Sequence, residues 1–138
     1  MQLLDGVLVA KTIKAELLSK VTISKEQGKR APHLAAVLVG ENPASASYIK
    51  NKIKSCAEAG YASTLIHKPD TITEEDLLSI IRLLNENEDI DGFIVQLPLP
   101  KHIDDHKILL AIDPKKDVDG FHPMNVGRMM IGLPSYIP

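Results

Sequence analysis

The chain has 138 residues, 16 basic against 18 acidic side chains for a formal net charge of -2, and is 44% hydrophobic and 25% charged. Those proportions describe one soluble globular domain able to bury about two thirds of its unfolded surface, and with Cys56 its single cysteine no intrachain disulfide is available or needed. No basic excess marks a nucleic-acid partner, the apolar run near Ala35 to Val39 is far too short for a bilayer, and Met1 to Gly6 lacks the basic flank and cleavage site of a signal peptide, so a cytoplasmic location is expected.

From Val7 to about Glu26, apolar residues recur at Ala10, Ile13, Leu17 and Val21, the spacing of a helix with one buried stripe, closed by Gly28 and Pro32. Leu34 to Val39 is a continuous apolar run ending in Gly40, which suits a parallel strand covered on both faces. Ala44 to about Ala59 returns to helical spacing through Ala46, Ile49, Ile53, Cys56 and Ala57, with Gly60 as a left-handed cap. A strand over Ala62 to His67 follows. Thr73 reads as an N-cap, with acids in the first turn, for a helix through Leu77, Ile80, Ile81 and Leu84 that ends near Glu88.

Gly92 to Leu97 is a second strongly apolar strand, stopped by Pro98 and Pro100, and Ile103 to Ile112 is a short helix before Asp113-Pro114. Strands alternating with helices imply an α/β fold, a three-layer open and mostly parallel sheet with helices on both faces. Ligands of such sheets gather outside the carboxyl ends of the strands, which directs attention to Gly40 onward and Gln96 onward.

Tyr48 and Lys52 lie four residues apart on the second helix, on one face flanking the apolar stripe, with Ser55 nearby. A flank position suits a pocket wall, where an amine can move a proton and a phenol ring offers a stacking surface. The plainer alternative is a tyrosine snorkelling beside a solvated lysine. The same spacing is the catalytic pair of short-chain dehydrogenases, but no glycine-rich dinucleotide loop precedes Tyr48.

Gln96 ends an otherwise apolar run, so its amide either faces a cleft or is satisfied by the turn that follows. Asp117 and Asp119 would point the same way in an extended segment, where an aspartate can accept from an amino-substituted ring, although a solvated turn is the commoner meaning. His102 and His106 have the helical spacing of metal ligands but not the glutamate of a metalloprotease helix, so no metal is assigned. Cys56, on the apolar stripe, is read as a small core residue.

Taken together, Val39-Gly40-Glu41-Asn42-Pro43-Ala44-Ser45, Tyr48-Ile49-Lys50-Asn51-Lys52, Gly92 to Pro100 and Lys116-Asp117-Val118-Asp119-Gly120 resemble bifunctional methylenetetrahydrofolate dehydrogenase/cyclohydrolase, the FolD family. Four motifs in order across nearly the whole chain are far more specific than any one pair. The resemblance implies oxidation of methylenetetrahydrofolate by NADP to the methenyl cation, then hydrolysis to 10-formyltetrahydrofolate. It implies that Lys52 is the catalytic lysine, Tyr48 the aromatic that stacks on the folate, Gln96 the partner that orients the lysine, and Asp119 the carboxylate that holds the pterin. Val95, Leu97 and Pro98 complete the substrate-binding wall. A cationic substrate disfavours a second positive charge beside it, so the lysine can give up its proton there.

The family also carries a Rossmann-type NADP domain, and this chain stops at Leu133 to Pro138, where that half should begin. Residues 1–138 are therefore expected to be the amino-terminal folate-binding and catalytic domain, with the cofactor site beyond Pro138. Expected with it are a homodimeric full-length parent and no NADP-dependent oxidation by this chain alone. The competing reading is a catalytically silent α/β ligand-binding module.

Overall fold

A computed structural model describes residues 5–137; the readings that touch Met1 to Leu4 and Pro138 lie outside those residues. Eight elements follow in order: α1 Gly6–Glu26, β1 His33–Val39, α2 Pro43–Glu58, β2 Ala62–Lys68, α3 Glu74–Glu86, β3 Gly92–Val95, α4 Asp105–Ala111 and α5 Pro123–Met130. The three strands form one parallel sheet in the order β2-β1-β3, with His33 opposite Ala62 and Leu34 opposite Gly92. Here β1 is the covered central strand that its unbroken apolar run required.

Alternation along the strands sorts the core into two layers. Ala35, Val37, Val39, Phe93 and Val95 face α3 and α4, where Leu77, Ile81, Leu84, Ile108 and Ile112 complete a large cluster. Ala36 and Ile94 face the other way, onto Ile49 of α2. Each Val, Leu, Ile or Phe among them, fully buried, contributes about 1.5–3 kcal/mol relative to exposure. Helices α2 and α3 thus lie on opposite faces, as right-handed crossovers demand when one leads from central β1 to one edge and the next leads back across to the other.

The carboxyl-terminal end of α1 docks beside α2, and Gly60 explains how. Its φ of 79° ends α2 in the left-handed region, and an added Cβ would sit 3.0 Å from Leu18 and 3.3 Å from Val21. The left-handed residue after α2 is therefore also the point where α1 approaches most closely.

Several sequence expectations shift. Of the stripe proposed for α1, Val21 is buried and Leu17 half-buried, while Ala10 and Ile13 are exposed, because the first turns reach little beyond the Lys14–Glu58 ion pair at 2.6 Å. On α2 the inward positions are Ser45, Ile49, Ile53 and Ala59, whereas Ala46 and Ala57 face outward and Cys56 is half-buried. Burial still pushes the Cys56 thiol upward in pKa, against a smaller opposite pull from Lys52. Strand β3 ends at Val95 because the ladder with β1 stops at Val37, though Gln96 N–H still donates to the Val37 carbonyl at 2.9 Å.

All five helix starts among the described residues carry side-chain caps, from Asp5, Asn42, Thr73, Asp104 and His122. The last opens α5, an element not among the sequence expectations. His102 lies outside α4, its ring nitrogen 2.8 Å from the Ile72 carbonyl, so it shares no helix face with His106.

Candidate active site

The loops after β1 and β3 leave toward opposite faces, α2 covering one and α4 the other. Such a parting of neighbouring loops opens a crevice at the carboxyl ends of the strands. A cleft of about 480 Å³ lies there, walled by Asn42, Ser45, Tyr48 and Lys52 from the β1–α2 side and by Val95, Gln96, Leu97 and Pro98 from the end of β3. Asp119 and Phe121 close it from the segment before α5.

The β1 side is held by its helix start. Asn42 Oδ1 accepts from the N–H groups of Ala44 and Ser45, and Pro43 occupies the first turn, where its missing N–H costs nothing. Ile49, 1% exposed, pins α2 to the sheet, which leaves Tyr48 and Lys52 on the flank that faces the cleft. The lysine Nζ sits 4.8 Å from the centre of the Tyr48 ring, within cation–π range.

Asp119 is set by a different device. Phe93 N–H donates to the Lys116 carbonyl at 2.9 Å, and Phe93 forms a parallel bridge with Asp117, so residues 116–117 run along the free edge of β3. Val118 rests on Gly92, where any Cβ would collide with its methyl group. Only glycine lets this segment come so near the sheet. From it the Asp119 carboxylate reaches across the cleft and accepts from Lys52 Nζ at 3.1 Å.

This pair links residues 67 positions apart. Its side chains are 23% and 32% exposed, neither fully solvated nor fully buried, so the attraction is stronger than on an open surface while both groups stay reachable. Tyr48, half exposed, leaves a ring face for a flat ligand. Gln96 faces the cleft, and its Nε2 donates to the neighbouring Leu97 carbonyl at 2.8 Å; both sequence readings of this amide thus hold at once, and the lysine's carboxylate partner is Asp119. The Leu97–Pro98 peptide at the rim is cis.

All seven residues assigned to the site from sequence (Tyr48, Lys52, Val95, Gln96, Leu97, Pro98 and Asp119) line this one cleft. Asn42, Ala44, Ser45 and Phe121 line it too and are not among the residues expected from sequence. The Asn-Pro helix start at 42–43 and the glycine before Phe121 were the available signals. The expectation that Asp117 and Asp119 point the same way fails. Residues 117–120 form a turn, with the Gly120 N–H donating to the Asp117 carbonyl at 3.3 Å, and Asp117 is buried at 2% exposure instead of solvated.

The fit of a dinucleotide can be tested on the same residues. Its pyrophosphate wants free N–H groups at a glycine-rich helix start. At α2 the Ala44 and Ser45 N–H groups are already taken by Asn42, Glu41 adds a negative charge, and a Cβ on Gly40 would pack 3.3 Å from that of Asp70. This strand-to-helix turn does not suit NADP. Among the described residues no group of three or more His, Cys, Asp or Glu is arranged to hold a metal, and no helix is long and apolar enough to cross a membrane.

Comparison with known proteins places the same architecture elsewhere. The family model for the tetrahydrofolate dehydrogenase/cyclohydrolase catalytic domain matches residues 4–119. The bifunctional protein FolD of Flavobacterium johnsoniae is 59% identical over 138 residues, all of this chain and 47% of that protein. The 5,10-methylenetetrahydrofolate dehydrogenase structure from the silkworm Bombyx mori superposes with a TM-score of 0.96 at 42% identity, over 99% of this chain and 47% of that one. The methylenetetrahydrofolate dehydrogenase-cyclohydrolase (FolD) of Trypanosoma brucei, in complex with NADP cofactor and an inhibitor, gives 0.92 at 35% identity over 99% of this chain and 46% of its own. The chain spans about half the length of the relatives it matches.

Proposed function

From the premise that this chain belongs to the tetrahydrofolate dehydrogenase/cyclohydrolase family, we propose that it supplies the folate site and the proton-transferring lysine of an enzyme of one-carbon metabolism. That enzyme oxidises methylenetetrahydrofolate with NADP and hydrolyses the methenyl product to 10-formyltetrahydrofolate. One observation carries the proposal: Lys52 stands between the Tyr48 ring and the Asp119 carboxylate, in a cleft walled by Val95 to Pro98.

In this reading the folate ring lies against Tyr48, and Asp119 accepts hydrogen bonds from the amino-substituted pterin edge. Its Oδ1 already holds Lys52, so the second carboxylate oxygen serves the ring. Hydrolysis adds water across the methenyl bridge: the water oxygen bonds to the cationic carbon, one carbon–nitrogen bond opens, and one proton is released. Lys52, on the cleft wall beside the reacting bridge, carries the released proton from the attacking water to solvent. Gln96, at the end of β3, orients the lysine or the water by its amide.

The dehydrogenase step belongs to the longer protein. NADP would be held by residues outside 5–137, in a Rossmann-type half, and this chain by itself would bind folate weakly. On the same reading the full-length protein is a cytoplasmic homodimer that uses tetrahydrofolate derivatives and neither nucleic acid nor membrane.

The test follows methenyltetrahydrofolate by its near-ultraviolet absorbance in the full-length protein and in the 138-residue chain. The expected result is enzyme-dependent loss of the signal in the full-length protein, weaker in the short chain, with NADPH formation from methylenetetrahydrofolate in the full-length protein only. A full-length protein that binds folate but leaves the methenyl compound at its spontaneous rate would instead be a silent ligand-binding module.

A further inference from the structure

The two acids of the Asp117-Val118-Asp119 segment have opposite surroundings. Asp119 reaches into the cleft, while Asp117 is 2% exposed and its partners are N–H groups, not a cation. Its Oδ2 accepts from the His122 backbone N–H at 2.8 Å and from Asn125 Nδ2 at 2.9 Å. Asn125, itself 4% exposed, uses the same amide nitrogen to donate to the Pro114 carbonyl at 2.9 Å. One carboxylate oxygen therefore ties the beginning of the 117–122 turn to its end, to the first turns of α5 and, through Asn125, to the segment before it. At the tip of that turn stand the two cleft residues Asp119 and Phe121, with Gly120 between them at a φ of 70°.

A buried carboxylate is a costly way to close a loop, since its desolvation is offset only by strong donors. Charge-assisted hydrogen bonds repay that cost in stiffness, because they are shorter and about twice as strong as neutral ones. Stiffness matters where a small displacement of a ligand-holding group costs much of the rate.

We propose that Asp117, together with Asn125, is a positioning residue of the folate site, holding the turn that presents Asp119 to Lys52 and to the substrate. This inference rests on the reading of the cleft given above and adds a role for residues that do not touch it.

The test is a double-mutant cycle in the full-length protein, read by methenyltetrahydrofolate hydrolysis and by folate titration. Asp117→Ala should cost about tenfold or more in hydrolysis, the scale of a displaced reacting group. Asp117→Asn should lose clearly less than Asp117→Ala, because its amide oxygen can take the place of Oδ2 and keep both bonds, though without the charge. On an Asp119→Asn background, Asp117→Ala should cost little more, since residues that act through one another are not additive. Should Asp117→Ala fail to melt cooperatively, Asn125→Ala replaces it in the same cycle with the same expected non-additivity. A full, undiminished loss on the Asp119→Asn background would overturn the proposal and leave Asp117 a fold residue only. So would an Asp117→Ala enzyme as active as wild type. If Asp119→Asn alone behaves as wild type, the folate-site reading itself has failed, an outcome distinct from loss of the coupling and one that removes the basis of both.

Discussion

On the α3–α4 face of the sheet, thirteen buried apolar residues among those described form one cluster, from Ala35 through Ile81 and Phe93 to Ile112. On the α2 face the corresponding cluster is Ala36, Ile49 and Ile94, with Ile53 and Val118 partly packed against it. The deep layer holds the strands, and hence the loop origins at Gly40 and Gln96, in fixed relation. Over the shallow layer, α2 is pinned chiefly through Ile49, so its flank residues stay partly solvated on the cleft wall, Tyr48 half exposed and Lys52 less so. On the proposed reading, the difference teaches that anchoring and chemistry are divided between faces: a helix buried as deeply as α3 would leave no room for a side chain to meet a ligand.

The largest effect that would sharpen this division is on the shallow side. Lys52→Met in the full-length protein should lower methenyltetrahydrofolate hydrolysis about a hundredfold or more, the scale of a lost positioned acid or base, with almost no change in Tm. Near-normal hydrolysis by that variant would remove Lys52 from the mechanism.

The mirror image lies in the deep layer. Ile81, fully buried on α3, should lose about 2–5 kcal/mol of stability on change to Ala, measured by urea denaturation, while activity per folded molecule stays close to wild type. If the rate of the folded fraction fell as far as it does for Lys52→Met, the two faces would not be separable in this way.

The smallest effect sits at the opposite end of the strands from the cleft. There Arg30 forks onto the Asp91 carboxylate at 2.6 and 2.9 Å, and Asp91 also accepts from the His33 backbone N–H at 2.8 Å. The Arg30 hydrogen bond holds the Asp91 carboxyl below its ordinary pKa, with the His33 N–H adding to the same direction. A carboxyl depressed in the folded state stabilises above its unfolded pKa of about 4 and loses that contribution as pH falls through the lower folded value. Wild-type Tm should therefore drop below about pH 4 slightly more than that of Asp91→Asn. The pair is half exposed and screened by salt, so the difference shrinks at high ionic strength, and hydrolysis at neutral pH should not change.

Much of this molecule could be read from period and punctuation. The apolar run at 34–39 had to be a covered strand, and the alternation of strands and helices had to give a parallel sheet with helices on both faces. The rule that ligands meet the carboxyl ends of such strands points to Gly40 and Gln96 from the sequence alone. Helix α5 is absent from the sequence reading, although His122-Pro123 is a cap followed by a proline in the first turn.

Local pattern determines which residues are helical, which are extended and which end an element, because those choices depend on neighbours a few positions away. It therefore sufficed to place Tyr48 and Lys52 together on the flank of one helix. The resemblance named Gln96 and Asp119 for the same site, but how they are brought to Lys52 was decided by tertiary structure. No spacing rule reaches from Lys52 to a carboxylate 67 residues on, nor separates Asp117 from Asp119, which look alike in sequence. What distinguishes the two acids is a turn at Gly120, an asparagine on the next helix, and a glycine at position 92 that lets the whole segment lie against the sheet, and each of these acts through space on a chain already folded.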